Sequence, residues 1–513
     1  MSAVRMAFPV TGCQTAVMRH LALALVALAA VAPAAEGFRL PKPKPLANGE
    51  VAVTGPGIYA QAGTTYVLTQ DLSVPASGIL LGKDTVLDLN GHTLTFAAAP
   101  YQPIPNGSFE DGLTGWDTAK APGAEVVDRR WLHPIDGTRV CILPQGEELV
   151  SPFIDLPVAD RPYYAMVAVA KESTAVDVVV EDGDGNPVRC EYRFGNQVRQ
   201  TCPELGRSPK LGGGTVFALI YGQPAGRYRL RITAAKGTCV IDDADIRPAL
   251  DYGVGVVGDI QPWAYYKCVL DGDDCVFFDL DRNAYPDRAA TAPRIQGSGQ
   301  VTIRNGRIRS GTRGIRTWGI LHTAKSCPIT IDNVEVVSSG TNSLAMRIAC
   351  GTITRCRTDL DWSWIIDRHR QGDYGIFITG GDVPSTVADC ELIGGQGQLS
   401  IRGEGSVVER NLLVNRQNVV NHYSLGLGSG ITVRHNRILP EQGSGILIGR
   451  CTGIDIHDNE IAVAASPPVN EYATTDYSVS AIRLTDYNAK AGDPKGGCSG
   501  NRIRDNRITV TGR

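Results

Sequence analysis

Helix-period apolar runs are scarce in these 513 residues, aromatic side chains make up only 6% of them, and neither sign of charge dominates. The first shortage argues against a helical protein. The balance of 50 Lys and Arg against 53 Asp and Glu gives a formal net charge of −3, which offers no basic surface for nucleic acid. The 13 cysteines include no CxxC spacing, so no zinc pattern is present. Glycine is abundant instead, at 58 residues, and it punctuates short β-rich runs together with Asn and Asp. That punctuation reads as all-β. The length exceeds one ordinary globular core, so several domains or a repeat are expected.

The N-terminus carries "MRHLALALVALAAVAPAAEG" from Met18. A short basic start, a brief apolar run and small residues before Glu36 form the pattern of a secretory signal peptide, here residues 1–35. The run is short for a membrane span, and no second long apolar segment follows. The mature chain is expected to be secreted, periplasmic or at the cell surface, with no membrane span. "RLPKPKPLANG" then reads as a stiff, Pro-rich lead-in. Loss of the signal removes Cys13 and leaves an even number of cysteines, which permits disulfides in an exported chain.

A repeat organises the rest. "ITIDNVEV", "VVERNLLV", "ITVRHNRIL", "IDIHDNEI" and "NRIRDNRITV" each set an Asn between aliphatics. The Asn falls at 305, 333, 411, 436, 459 and 506, and Cys356 and Cys390 fit the same column. The shorter intervals lie near 23 residues, one turn of a parallel β-helix, and the longer ones imply inserted loops. A second strand recurs in each turn, as in "YGIFITG", "GQLSIRG" and "SGILIG". Stacked Asn side chains can satisfy one another along the axis, which makes their burial tolerable. The phase shifts once. Before Asn305 and Asn333 the aliphatic lies two residues upstream, and later it lies three upstream, so the bend is expected to change. The residues before the column (Arg355, Asp389, Arg410, His435, Asp458, Asp505) are expected to form an outward ladder of mixed charge.

This pattern resembles the right-handed parallel β-helix superfamily that includes pectate lyases and polygalacturonases. "GILLGKDTVLDLNGHTLTF" (78–96) resembles its first coils. The resemblance covers residues 48–98 and 252–513 and implies a single-stranded right-handed parallel β-helix, with an N-terminal cap and first coils over 36–100 and the main body over 250–513. Residues 101–249 differ. "NGSFEDGLTGW" opens them and "CVIDDADIRP" closes them, with strand-like runs between, as suits an inserted β-sandwich. The two end motifs resemble those of a galactose-binding-like carbohydrate-binding module, a jelly roll. In that family an opening Glu and a closing Asp hold a structural calcium, which implies Glu110 and Asp243 as ligands of Ca2+ here. Trp116 is expected to pack in the sandwich core.

Cys190 with Cys202, and Cys268 with Cys275, could each close a hairpin. Cys327 with Cys350, Cys356 with Cys390, and Cys451 with Cys498 are expected to stack between coils, either as disulfides or as buried reduced thiols.

Two long loops should leave the same corner, "DLDWSWIIDRHRQGDY" (359–374) and "ASPPVNEYATTDYSVS" (465–480), with a shorter one carrying Asn421, His422 and Tyr423 between them, which together form a candidate cleft. The first carries Asp361, Asp367, Arg368, His369, Arg370 and Asp373 beside two tryptophans. A lyase needs a cation for a uronate carboxylate and a base for its C5 proton. A glycosidase needs two carboxylates at a set separation. These residues supply both. "DGDDC" (271–275) resembles the paired aspartates of polygalacturonases, but that family's Gly-His-Gly and Arg-Ile-Lys motifs are absent. The expectation is an exported polysaccharide lyase or glycoside hydrolase with its cleft near 361–423. The alternative is a non-catalytic glycan-binding or adhesion protein. The sequence implies a glycan partner, no organic cofactor and no particular oligomeric state.

Overall fold

The computed structural model describes residues 37–511 apart from 129–137, 160, 171–174, 189–190, 195–196, 201–212, 221–222, 250, 257–262, 271–273, 279–296, 313, 316, 342–343, 362–373, 396, 415–422, 441–442, 450, 465–479 and 486–497. Among the described residues every regular element is a strand. None forms a helix long and apolar enough to cross a membrane. The signal-peptide expectation lies outside them.

The chain winds through three parallel sheets in a fixed order. The first sheet takes Thr65–Leu68, Thr85–Asp88, the start of Val301–Ser310, the start of Ile329–Thr341, Gly351–Thr354 and so on to Arg502–Arg504. The second takes Thr93–Phe96, the ends of the same two long strands, Arg357–Asp361 and later strands as far as Arg507–Thr511. The third takes Ile79–Leu81, Tyr252–Val256, Trp318–His322, Leu344–Ile348 and on to Ser480–Thr485. Each coil gives one strand to each sheet, which is a parallel β-helix. Its interior is built by repetition. Ile303, Ile331, Ile353, Val387, Val408 and Val433 occupy one register position in successive coils, all fully buried. Each such side chain contributes roughly 1.5–3 kcal/mol by leaving water.

The bend between the first and second sheets explains the phase shift. One residue per coil must adopt positive φ there to turn the chain. From Arg355 onward that residue is Arg355, Asp389, Arg410, His435, Asp458 or Asp505, with φ of 53–58°. The next residue then points inward, and Asn411, Asn436 and Asn459 are buried there. In the two earlier coils Asn305 and Asn333 themselves take the left-handed turn, at 65° and 55°, which Asn tolerates better than most residues. Asn305 and Asn333 therefore do not belong to the interior column. Gly306 and Val334 occupy it instead, and a Cβ on Gly306 would lie 2.4 Å from Leu89 Cβ.

The carboxamides of Asn333 and Asn90 hold the Pro-rich lead-in, and Asn305 between them bonds Asn333. Arg39 N donates to Asn333 Oδ1 at 2.9 Å, Asn333 Nδ2 to Asn305 Oδ1 at 3.4 Å, and Lys44 N to Asn90 Oδ1 at 2.9 Å. Residues 39–44 thus run along the helix axis as a strap across three coils, with Arg307 over the Phe38 ring.

The inward amides form a ladder. Asn411 Nδ2 donates to Asn436 Oδ1, Asn436 Nδ2 to Asn459 Oδ1 and Asn459 Nδ2 to Asn506 Oδ1, at 2.9–3.0 Å.

The chain leaves the β-helix after Phe96 and returns at Tyr252. Between them two antiparallel sheets face each other over a separate core that includes Phe109, Leu143, Val178, Leu230 and Ile241. The opening and closing segments lie side by side. Ala244 N donates to Gly107 O at 2.9 Å and Ile104 N to Asp245 Oδ1 at 3.0 Å. Adjacent ends let a domain sit in a loop of its host. Trp116 packs on Phe109 with centroids 5.1 Å apart, and its Nε1 donates to Asn106 O, so it is a core residue.

Candidate functional site

Segments 362–373 and 415–422 both leave the second sheet and rejoin the third, after Arg357–Asp361 and after Leu412–Val414. The strand ends that flank them lie at one corner, two coils apart. Glu460–Ala464 and Ser480–Thr485, which flank residues 465–479, meet that corner further along. The coil between the first two has only residues 394–396 at that corner, from Glu391–Ile393 to Gly397–Ile401.

The first described residues after the two segments are Tyr374 and Tyr423. Parallel neighbours stand about 4.8 Å apart, so strands two coils apart are separated by about twice that. Yet the ring centroids lie 5.9 Å apart and the hydroxyls 2.7 Å apart. The rings lean toward each other across the middle coil. Gly397 permits this, since a Cβ there would lie 2.4 Å from Tyr374 Cε1. Phe377 extends the aromatic patch, 5.5 Å from Tyr374. The Arg402 guanidinium sits 5.8 Å over the Phe377 ring, a cation–π contact. Burial pushes the Tyr423 phenol up, against hydrogen bonds to Tyr374 and Ser400 that lower it. It therefore stays protonated at neutral pH and can both donate and accept.

Among the expected catalytic residues, Asp367, Arg368, His369, Arg370, Asp373 and His422 lie outside the described residues. The backbone of Asp361 ends its second-sheet strand, beside Ser339 in the neighbouring coil. Asp273 lies outside the described residues as well, and Asp274 begins the second strand of a hairpin, Trp263–Leu270 with Asp274–Phe278. In that hairpin Cys268 lies opposite Val276, and Cys275 opposite Val269. Cys190 and Cys202 lie outside the described residues. Cys327, Cys350, Cys356, Cys390, Cys451 and Cys498 are free thiols. Tyr423 was expected at the cleft; the residues missed in the sequence are its partner Tyr374 and Gly397 between them. The signal was available, because "DYGIFI" and "HYSLGL" place Tyr at the same step of the repeat, each just after a loop.

The calcium expectation meets a different chemistry. Glu110 Oε1 accepts from Thr138 N at 2.8 Å and Arg139 N at 2.7 Å, and Oε2 from the Thr138 hydroxyl at 3.3 Å. Asp243 pairs with the buried Arg247 at 3.2 Å. Arg247 also bonds Asp245 at 2.7 Å, and Asp245 is bonded by Tyr101. Carboxylates already serving amide donors and a guanidinium do not fit a cation held between them, since the guanidinium supplies the charge calcium would bring. Among the described residues no group of three or more His, Cys, Asp or Glu could hold a metal ion.

His322 is a buried histidine outside this corner. Its Nε2 lies 2.9 Å from Cys327 O, and its Nδ1 accepts from Ala349 N at 3.2 Å. Those contacts fix one neutral tautomer, and burial lowers its pKa to about 4.

No protein-family model matches the chain and no curated protein matches it. Solved structures share low likeness with it. A CBM61 module in complex with β-1,4-galactotriose is 15% identical, covering 29% of this chain and 99% of its own, with a TM-score of 0.19. The catalytic unit of a GH87 α-1,3-glucanase from Streptomyces thermodiastaticus is 12% identical over 73% of this chain and 76% of its own, with a TM-score of 0.25. The Gp54 tailspike of Acinetobacter baumannii bacteriophage AP22 is 10% identical over 91% of this chain and 64% of its own, with a TM-score of 0.19.

Proposed function

We propose that this is an exported polysaccharide-active enzyme, a lyase or a glycoside hydrolase, whose site lies at the corner of Tyr374 and Tyr423. The observation that carries the reading is that paired phenol. Two half-buried aromatic rings bridged by their hydroxyls, with Phe377 and Arg402 beside them, combine flat apolar faces with donors and acceptors. Sugar rings present apolar faces and hydroxyl edges in the same way. The segment richest in acid–base groups in the sequence, 362–373, directly precedes Tyr374 in the chain. In a lyase, Arg368 or Arg370 would neutralise a uronate carboxylate and His369 or His422 would take the C5 proton. In a hydrolase, two of Asp361, Asp367 and Asp373 would act as acid and base or nucleophile. The second reading, a non-catalytic glycan-binding protein, draws on the same aromatic patch and needs none of those groups.

The test is incubation of residues 36–513 with a panel of acidic and neutral polysaccharides, following absorbance near 235 nm for unsaturated products and assaying reducing ends. Both signals, lost in His369→Ala or Arg370→Ala, support a lyase. Reducing ends alone, lost in Asp367→Asn or Asp373→Asn, support a hydrolase. Retention on a glycan column without product supports binding alone, and neither product nor retention overturns the proposal.

A further inference from the structure

The interior column at the first bend changes chemistry halfway along the β-helix, but its contacts do not change. Asn436 Nδ2 donates to Val408 O of the preceding coil at 2.9 Å and to Arg434 O two residues back at 3.0 Å, while Oδ1 accepts from Asn411 N at 3.0 Å. Cys390 stands in the same relation to its neighbours. Its Sγ faces Ile353 O of the preceding coil at 3.7 Å and Ala388 O two residues back at 3.2 Å, and it accepts from Cys356 N at 3.4 Å. Cys356 repeats the pattern, with Ile331 O at 3.6 Å and Thr354 O at 3.1 Å. Cys390 N closes the junction by donating to Asn411 Oδ1 at 3.0 Å. A thiol has one proton, shared here between two carbonyls, where the amide has two. Both sulfurs are buried.

We propose that Cys356 and Cys390 serve as thiol rungs that continue the carboxamide ladder, and that they make the two coils a redox-sensitive joint. Stacked coils stand about 4.8 Å apart at Cα, within reach of a disulfide. Forming that bond takes two protons and two electrons from the pair and passes them to a small-molecule disulfide, which leaves as two thiols. The product keeps no S–H. Ile331, Thr354, Ile353 and Ala388 then lose the donor their carbonyls face. Both sulfurs are closed off from a soluble disulfide, and burial raises the Cys356 thiol above its ordinary pKa, so exchange is disfavoured in the folded chain. The state of the joint is therefore set while the chain folds.

The test compares Cys390→Ser with Cys390→Ala in the full chain by thermal unfolding. Serine keeps a donor and acceptor, and alanine does not. At a hydrogen-bonded rung the serine variant melts at or above the alanine variant. At a merely apolar site the buried hydroxyl makes serine the worse of the two, and that ranking would overturn the proposal. Should neither variant fold, peptide mapping of the folded wild-type chain decides. Free thiols at both positions, with a lower melting temperature for chain refolded under oxidised glutathione, support the joint. Equal melting temperatures for the reduced chain and for chain whose Cys356–Cys390 disulfide is confirmed by mapping, or no such disulfide after refolding under oxidised glutathione, overturns it.

Discussion

Arg161 and Asp251, 90 residues apart, meet where neither side chain reaches solvent: Nε and Nη2 lie 2.9 and 2.7 Å from Oδ2. Arg161 belongs to the inserted sandwich, and Asp251 begins the return to the β-helix. The other carboxylate oxygen accepts from Ser77 Oγ at 3.3 Å, and Trp318 N donates to Asp251 O at 2.9 Å. Asp251 thus ties the insert to neighbouring coils, through its carboxylate to Ser77 and through its backbone carbonyl to Trp318.

Arg161→Met leaves that carboxylate buried without its guanidinium, and a loss of roughly 3–5 kcal/mol is expected. Arg161→Met with Asp251→Asn removes both charges and should recover much of it. Urea unfolding of the two single variants and the double variant supplies the cycle. A loss below about 1 kcal/mol in Arg161→Met would mean the pair is not a tie.

The two kinds of bend asparagine should respond differently. Asn436→Ala strips donors from Val408 O and Arg434 O and an acceptor from Asn411. Unsatisfied buried groups cost about 1–3 kcal/mol each, so a loss on the order of 3 kcal/mol is expected. Asn305→Gly keeps the left-handed turn and removes only an outward amide, so about 1 kcal/mol or less should be lost. Equal losses in chemical denaturation would contradict the inward and outward assignment.

Gly397→Ala sets a methyl 2.4 Å from Tyr374 Cε1, so the phenol pair must open. Overpacking costs about 1–3 kcal/mol, which the chain should survive folded. Glycan turnover or retention should drop by about tenfold or more, the effect of losing roughly 1.4 kcal/mol of binding. Tyr374→Phe, which keeps the ring and removes its hydroxyl, should lose less. Unchanged glycan behaviour in Gly397→Ala would move the site away from this corner.

Acid should weaken the chain through His322. Its folded pKa of about 4 lies below the ordinary 6.5. Below pH 6.5 the unfolded chain gains a proton that the fold refuses. Stability therefore falls as pH drops from 6.5 toward 4, by about 1.4 kcal/mol per pH unit and on the order of 3 kcal/mol across the window. His322→Gln should flatten that part of the profile in denaturation series at pH 7, 6, 5 and 4.5. Parallel profiles for the two proteins would show that His322 does not report there.

Millimolar calcium or a chelator should shift the melting temperature by less than about 1 °C, since Glu110 and Asp243 already serve protein donors; a bound ion would raise it by mass action. A rise of several degrees, abolished in Glu110→Gln, would restore the metal.

The β-helix was legible because its period is written in aliphatics and asparagine, and each such residue has one place to go in a coil. The inward ladder from Asn411 to Asn506 was read correctly on that basis. Asn305 and Asn333 were misplaced, because Asn suits both the left-handed turn and the buried rung beside it. The two-residue phase marked the difference without saying which side was inward. Arg247 lies four residues after Asp243 in the closing motif itself, so that pairing was open to the sequence; the Thr138 and Arg139 amides that occupy Glu110 come from a segment 28 residues on, which the opening motif does not record. The Tyr374–Tyr423 pair escaped notice for a related reason. It depends on a missing side chain at Gly397 in the coil between.

The strap across the first bend also orders events in time. Arg39 is made 294 residues before the Asn333 that receives it, and Asn305 is likewise synthesised after the entire insert. Lys44 can seat on Asn90 as soon as the first coils exist, but Arg39 must wait undocked until the sandwich and the next two coils have been made. The Arg39 end of the strap, made early, is among the last parts to find its seat, so its docking certifies that everything between has been built.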